Sequence, residues 1–445
     1  LRQASRIVVA FSGGVDSTVL LHLLHAARQQ NLLIATLHAL HVNHAMQAPA
    51  DQWEQHCREL CRGLDVPFRA VRTPVIATAG ESLEETARNA RHRVFASSLE
   101  AGDVLVLAQH GNDQVETVFF RLLRGSGARG LAGMPRSRSC GGGLLLRPLL
   151  GASRAELLDY ARSRELAWIE DGSNEDQRFD RNFLRGTVLP LLSGRWPGLT
   201  DTVMRSSRLS GEAAQLLDEL AGIDLGAAAC VNPHQLCIDT LLPLSEARQR
   251  NLLRFWLQGL CAAKCWSAPP HQVLQRLVTE VLPAAPDAEP LLTWGSGSSA
   301  VELRRHRNRL HVFAPLPAGM ESVPWDTASG LALPQPFGTL ELQGSAGKGL
   351  ARDRIAQLQV RFRSGGELVK IAGRPTRPLK KILQEAGLPP WLRDYIPLLY
   401  AGDELVAVAD LLICDGWLSS SPENTCRVVW RHPDLDCGYE GHLLI

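Results

Sequence analysis

The chain has 445 residues, enough for about three domains of ordinary size. Hydrophobic residues make up 45% and charged residues 21%, a balance that excludes disorder over most of the length. The formal net charge of +1 gives no global field for a polyanion, and no apolar run approaches the length of a membrane span.

The first half alternates short apolar runs with helical patterns, the signature of a parallel α/β sheet. The pattern predicts strands over 6–11, 33–42, 68–71 and 104–108. Between them it predicts helices over 16–30, 50–63 and from a capping box at Ser82-Leu-Glu-Glu85 to about 99, and after the last strand one over 113–124. Beyond Pro190 the pattern is helical over 202–220, with Val203, Leu209, Leu216, Leu217 and Leu220 as its apolar positions, and again over 248–260 and 271–282. Two strands around a tight turn are expected over 300–313. A Pro- and Gly-rich stretch then reads as a linker, and a small mixed α/β region with a basic helix near 378–386 follows. The predicted architecture is a doubly wound parallel sheet over 1–195, a mostly helical domain over 196–315, a linker over 316–350 and a small α/β domain over 351–445.

The segment richest in chemistry is Val8-Val9-Ala10-Phe11-Ser12-Gly13-Gly14-Val15-Asp16-Ser17-Thr18. A buried strand runs into Ser-Gly-Gly and then into a helix. The glycines permit a tight turn and close backbone approach, and the hydroxyls of Ser12, Ser17 and Thr18 stand beside the free amides of the helix start. That combination suits an anion such as pyrophosphate. It lacks the Gly-Lys-Ser/Thr of a Walker A loop. The plainer alternative is a strand–turn–helix in which Ser and Asp only cap the helix.

This segment resembles the loop of the PP-loop ATP pyrophosphatases, which cleave ATP between the α and β phosphates. Further motifs follow in order: His41-Val-Asn-His44, Ala87-Arg-Asn-Ala-Arg-His-Arg-Val-Phe95, Ala108-Gln-His-Gly-Asn-Asp-Gln-Val-Glu-Thr117, Arg124-Gly-Ser-Gly127, Arg147-Pro-Leu-Leu150, Asp171-Gly-Ser-Asn174 and Arg181-Asn-Phe-Leu-Arg185. With Leu379-Lys-Lys-Ile-Leu-Gln-Glu385 and Pro389-Pro-Trp-Leu-Arg-Asp394 near the C-terminus, the set resembles the bacterial tRNA(Ile)-lysidine synthetase family. The resemblance implies a two-step ligation. ATP adenylates C2 of the wobble cytidine in an isoleucine tRNA with a CAU anticodon, and free L-lysine then displaces AMP to give lysidine. It implies an ATP site at Ser12, Gly13, Gly14, Val15, Asp16 and Ser17, with Mg2+ accompanying the nucleotide and Asp16 or Asp113 as its candidate ligands.

The residue chemistry bears on the same site. Asp113 and Glu116 are three apart at a helix start and share a face, where they can clamp an amine or a metal, or simply cap the helix. The attacking amine must lose a proton, since its unperturbed pKa is roughly 10.4. The Asp113/Glu116 pair is the expected base and lysine site, with His110 as the alternative base. His44, Arg88 and Arg91 form a possible rim. Two departures from the family pattern matter. Ala-Met-Gln follows His44 where relatives more often carry a cation, and Asn112 stands where many relatives have a second aspartate, so the acidic role falls on Asp113 alone.

Between 121 and 155 there are seven arginines and no acidic residue, in a Gly-rich run that reads as partly loop. A cation-rich loop suits RNA phosphates, although charge runs are usually solvated. The expected tRNA contacts are Arg121, Arg124, Arg129, Arg181 and Arg185, with Arg374, Lys380 and Lys381 from a second cluster (361–381) opposed locally only by Glu367. A third group is Arg304, Arg305, Arg307 and Arg309. Trp391, Tyr395 and Tyr400 read as core aromatics.

Ten scattered cysteines without Cys-x-x-Cys, and a polar start that does not read as a secretory leader, lead us to expect a reduced, cytoplasmic protein. Cys57/Cys61 and Cys261/Cys265 read as buried thiols on helix faces. The alternatives to a lysidine ligase are a PP-loop tRNA thiolase and a catalytically inactive RNA-binding protein. The first needs reactive cysteines, and no pair is expected near 12–17 or 110–116; the second would not keep the loop and carboxylates intact.

Overall fold

A computed structural model describes residues 1, 3–44, 50–73, 83–170, 180–285, 288–317, 319, 321–334, 337–345, 348–419 and 424–431. The Ser82 capping box, the turn after His44 and Asp171-Gly-Ser-Asn174 lie outside them. The chain divides into two compact units, Leu1–Leu216 and Leu217–Ile445.

The first unit begins β1 (Arg6–Ala10), α1 (Val15–Gln29), β2 (Thr36–Asn43), α2 (Ala50–Gly63), β3 (Phe68–Arg72), α3 (Leu83–Ser97), β4 (Asp103–Val106) and α4 (Gly111–Leu123). It continues through α5 (Ala128–Leu131), β5 (Ser137–Cys140), β6 (Gly143–Leu146), α6 (Arg154–Ser163), α7 (Asp180–Phe183) and α8 (Leu189–Arg195), and α9 (Leu199–Ala228) runs across the boundary at 216. The six strands lie in the order β3-β2-β1-β4-β6-β5. All neighbours are parallel except the β5–β6 hairpin. Helices cover both faces. Val9, Phe11, Val19, Leu20, Cys57, Leu157 and Ala161 pack one core with α1, α2 and α6, and Val8, Phe95, Leu99, Leu105 and Leu145 pack the other beneath α3. The doubly wound sheet expected from the sequence is present. The order reverses between β1 and β4, so the loops after these two strands open the crevice where α/β sheets bind ligands.

The Gly-rich run after 121 contains more structure than a loop. Gly141 takes a φ of +57° at the hairpin turn, and a Cβ there would fall 2.0 Å from the Ala96 carbonyl oxygen. Short strands with glycine between them hide the period-2 pattern that would have revealed the hairpin. Helix α9 runs beyond both predicted ends, and Leu209, Leu216 and Leu217 are exposed on it. Its buried positions include Ser207, Ala221 and Ala228, small residues that allow close approach.

The Arg6 guanidinium holds the buried Asp103 carboxyl below its usual range, with Nε donating to Oδ1 at 3.1 Å and Nη2 also bonded to the carboxylate. A depressed carboxyl pKa means that the unfolded chain takes up the proton first. The stabilisation is therefore present above the unfolded pKa, about 3.9, and lost as pH falls through the folded value. Asp103→Asn is expected to lower stability at pH 7 by about 1–2 kcal/mol, with the gap to the parent closing below pH ~4 in urea titrations.

In the second unit, β7 (Gln235–Cys237), α10 (Ile238–Leu241), α11 (Glu246–Lys264), α12 (His271–Arg276), β8 (Leu291–Trp294), β9 (Val301–His306) and β10 (Arg309–Phe313) form a helical region against a four-stranded antiparallel sheet. The predicted tight turn is there: His306 pairs with Arg309, and Arg307 takes a φ of +51°. Then come β11 (Val323–Asp326), β12 (Leu331–Ala332), β13 (Thr339–Gly344), β14 (Gly349–Ala351), β15 (Gln357–Arg361), β16 (Leu368–Val369), β17 (Arg377–Pro378), α13 (Leu379–Glu385), β18 (Leu398–Ala401), β19 (Glu404–Val408), β20 (Leu412–Ile413), β21 (Leu418–Ser419) and β22 (Thr425–Arg431). The stretch 316–350 is thus not a plain linker. It supplies β11 to β13 and the start of β14, and it buries Trp325, Phe337, Leu340 and Leu350 in the core shared with β15 to β22. Its prolines and glycines mark turns between short strands.

Candidate active site

The loop after β1 is built around one left-handed residue. Gly13 has a φ of +83°, its carbonyl accepts from Ile169 N at 2.9 Å, and Gly14 continues extended into the first turn of α1. A Cβ on Gly13 would stand 2.7 Å from both Cys57 Sγ and Ile169 Cδ1. The side chains of the loop bond to one another: Ser12 Oγ lies 3.1 Å from Ser17 Oγ, Ser17 Oγ donates to the Gly14 carbonyl at 3.0 Å, and the Gly14 amide reaches Ser12 Oγ at 3.4 Å. Val15 is buried and supports the helix start from below. His41, on β2, lies with Nδ1 2.9 Å from the Phe11 carbonyl, so it braces the end of β1. Nothing in the sequence distinguished this role from ordinary packing.

The loop after β4 faces it. His110 is 2% exposed, and its Nε2 sits 3.6 Å from Asp16 Oδ2 and 3.6 Å from Asp113 Oδ2. The Asp113 carboxylate also accepts from the His110 amide at 3.0 Å, which closes the first turn of α4. Glu116, likewise 2% exposed, points into the same cluster. Arg185 Nε donates to Glu116 Oε1 at 2.6 Å and its Nη2 to Asp113 Oδ1 at 3.0 Å, while Arg181 Nε donates to Glu116 Oε2 at 3.0 Å. Burial pulls the Arg185 pKa down, but Glu116 and then Asp113 outweigh it and hold the guanidinium above its ordinary value. Arg181 and Arg185, expected on RNA, therefore stand on the two carboxylates. Their four-residue spacing predicted a shared face but not its partner. Asn112 Oδ1 accepts from the Arg154 amide at 2.9 Å.

Two polar atoms are poorly satisfied. Asp16 Oδ1 is buried with no hydrogen-bond partner among the described residues, and His110 Nδ1, turned toward the Asp113 amide in the first turn of α4, makes no bond of good geometry. Buried groups of this kind normally have partners, so Asp16 Oδ1 points to something the site takes up. The Asp113 oxygens are already engaged. An added cation therefore fits Asp16 better than Asp113.

The other expected contacts divide. Arg121 turns inward and donates to the carbonyls of Gly130 and Gly133 at 3.0 and 2.7 Å; burial, then Arg88, lowers its pKa. Arg124 stacks on Phe120, and Arg129 and Arg88 are exposed. His44 is partly buried, which lowers its pKa, and the neighbouring Arg91 lowers it further. Lys380 and Lys381 are exposed on α13 while Leu379, Ile382 and Leu383 are buried, as the pattern predicted, and Arg374 is exposed nearby. The rest of that cluster is more balanced than local sequence implied: Arg363 pairs with Glu367 and Asp394, Lys370 with Asp415, Arg377 with Glu385 and Arg361 with Asp403. Arg305 is buried on the carbonyls of Val281 and Leu282, and Arg304 pairs with Glu302. Trp391 stacks on Phe313, and Tyr395 stacks on Phe337.

The cysteines need one correction. Cys57 does lie near the loop, beneath Gly13, although far from it in sequence. Both Cys57 and Cys61 are fully buried, and burial pushes each thiol up to about 12, which makes them packing groups and not sulfur donors. Iodoacetamide on the folded protein is expected to label exposed Cys265 and to leave Cys57 and Cys61 untouched, read by peptide mass mapping.

Comparison with known proteins agrees with this geometry. A family model described as a PP-loop domain matches residues 2–192, a TilS substrate binding domain matches 236–311, and a TilS substrate C-terminal domain matches 358–430. The tRNA(Ile)-lysidine synthase of Pseudomonas syringae pv. tomato is 44% identical over 98% of this chain and 94% of its own length. The chain belongs to the tRNA(Ile)-lysidine synthase family. The Pseudomonas aeruginosa member is 43% identical over 98% of this chain and 96% of its own length, and that of Coxiella burnetii is 39% identical over 95% and 92%. Members of this family are ligases, and a PP-loop domain implies the use of ATP. No helix among the described residues is long and apolar enough to cross a membrane.

Proposed function

We propose that this protein joins free L-lysine to C2 of the wobble cytidine of an isoleucine tRNA with a CAU anticodon, through an adenylated tRNA, releasing pyrophosphate and then AMP. One observation carries the reading: the hydroxyl-and-glycine turn of 12–17 faces a carboxylate–imidazole cluster across a single crevice, with His110 3.6 Å from Asp16 and from Asp113. The free amides at the start of α1 and the hydroxyls of Ser12 and Ser17 receive the leaving pyrophosphate. Magnesium, bound with the nucleotide, neutralises triphosphate charge, and Asp16 is the residue that fits it. Asp113 and Glu116 attract the ammonium groups of lysine, and Arg181 and Arg185 give up part of their bonds to the two carboxylates as it enters. His110, with Nδ1 making no bond of good geometry among the described residues, takes the proton from the attacking amine, because an ammonium has no lone pair. Arg124 and Arg129 on one unit and Arg374, Lys380 and Lys381 on the other bind tRNA phosphates, and the protein works in the cytoplasm.

Mass analysis of tRNA(Ile) after incubation with ATP, Mg2+ and lysine tests this directly. The expected product carries lysidine at the wobble position and accumulates with stoichiometric AMP. Unmodified tRNA, or ATP turnover indifferent to lysine, sinks the reading.

A further inference from the structure

Helix α3 and the edge hairpin β5–β6 carry a group of cations that the ATP chemistry leaves unused. His92 lies at its centre. Burial lowers its pKa to about 4, and Arg138, Arg88, Arg91 and Arg147 each push it the same way; no acidic group opposes them. Arg147, 5% exposed, is itself depressed to about 10 by burial and then by Arg138, Arg88 and Arg121. Arg147 is tied down, bonded through Nε to Gln109 and through Nη1 to the Pro135 carbonyl at 2.8 Å. Arg88 and Arg138 are exposed, and among the described residues neither has an acidic partner. Like charges gathered this closely repel one another, and a polyanion laid over them relieves that repulsion.

The geometry of one pair makes the arrangement specific. Arg138 Nη2 lies 3.2 Å from His92 Nδ1. A guanidinium has only donors, so Nδ1 is the acceptor and the ring proton is on Nε2. The imidazole ring in turn sits edge-on to buried Phe95, with centroids 6.0 Å apart, which fixes its plane. His92 thus orients a guanidinium at the sheet edge without adding or removing charge. Edge-strand arginines also deter strand pairing, but that role needs no fixed orientation.

Distance decides the occupant. Strand β5 is three strands from β1 in the order β1-β4-β6-β5, roughly 14 Å at ordinary strand spacing. A triphosphate held at the loop after β1 does not extend that far, whereas a nucleic acid strand presents phosphates over such distances. We propose that the α3 and β5–β6 face binds the phosphodiester backbone of the RNA substrate, with Arg88 and Arg138 as contacts and His92 as the positioning residue for Arg138. The inference rests on the RNA-modifying reading above and adds where the RNA lies on the first unit.

Filter binding of the full-length protein to a tRNA(Ile) transcript across a salt series tests it. Arg88→Gln and Arg138→Gln are each expected to weaken binding about five- to tenfold and to flatten the log–log salt slope by about 1. Neither is expected to lower the melting temperature, because each relieves repulsion. His92→Phe is expected to match the loss of Arg138→Gln, and the double variant to be no weaker than Arg138→Gln alone; His92→Gln, which keeps an acceptor, stays within about twofold of the parent. Parental affinity and slope in the two arginine variants, in a protein that forms lysidine, overturn the face. Fully additive losses in the double variant overturn the part given to His92. Failure of the parent itself to bind tRNA or form lysidine is the distinct failure of the underlying reading.

Discussion

Replacing Asp113 with alanine is expected to reduce lysidine formation at least ~10³-fold while tRNA affinity stays within about twofold. The carboxylate holds three things together: the His110 amide at 3.0 Å, the Arg185 guanidinium at 3.0 Å and the His110 ring at 3.6 Å. Removing one partner of a partly buried charge pair costs about 2–5 kcal/mol, of which the helix cap accounts for ~1 kcal/mol. Asp113→Asn separates these roles. The amide can still accept from the His110 amide, so the melting temperature is expected to stay near the parent's. It cannot attract an ammonium, so KM for lysine is expected to rise well over tenfold. Single-turnover assays divide the reaction further. Release of pyrophosphate should survive in Asp113→Asn, because the loop of 12–17 is untouched, and transfer of lysine should not. Equal loss of both steps in that variant would falsify the assignment of Asp113 to the lysine side of the crevice.

The sheet could be read from sequence because buried parallel strands are continuous apolar runs: Ile7-Val8-Val9 and Val104-Leu105-Val106 need no partner to identify them. The loop after β1 was equally visible, since its chemistry lies within six consecutive residues. The pairing of Arg181 and Arg185 with Glu116 and Asp113 was not, because 65 to 72 residues separate the partners and an exposed arginine looks the same as one folded onto a carboxylate. The same blindness credited the 361–381 cluster with one opposing charge when Asp394, Asp403, Glu385 and Asp415 also reach it. The β5–β6 hairpin was hidden by its own glycines, and the stretch 316–350 by prolines that punctuate strands as readily as they fill linkers. Local pattern thus gave most elements of the first sheet and the turn after β1, while the electrostatic partners depended on tertiary contacts.

Gly13→Ala is expected to be the most damaging single-methyl change in the nucleotide loop. Two independent costs coincide there. A φ of +83° lies in the region where a Cβ is strained, by about 1–2 kcal/mol. The added methyl also meets Cys57 Sγ and Ile169 Cδ1, each at 2.7 Å, inside a core where overpacking costs about 1–3 kcal/mol. The sum, about 2–5 kcal/mol, is a large share of an ordinary domain's stability, and the melting temperature is expected to fall by several degrees. The Ile169 tip can rotate away from the methyl, but relaxing the left-handed φ shifts the Gly13 carbonyl off Ile169 N and moves the Ser12 and Ser17 hydroxyls. Affinity for ATP, measured by calorimetry at a temperature where the variant is folded, is therefore expected to drop more than tenfold. Cys57→Ala in the same chain removes one of the two clashes and leaves the backbone strain. The double variant should regain part of the melting temperature and little of the nucleotide affinity, because the φ that aims the turn is still wrong for a residue with a Cβ. Full recovery of ATP binding would mean that crowding by Cys57, and not the left-handed backbone, sets the shape of the loop.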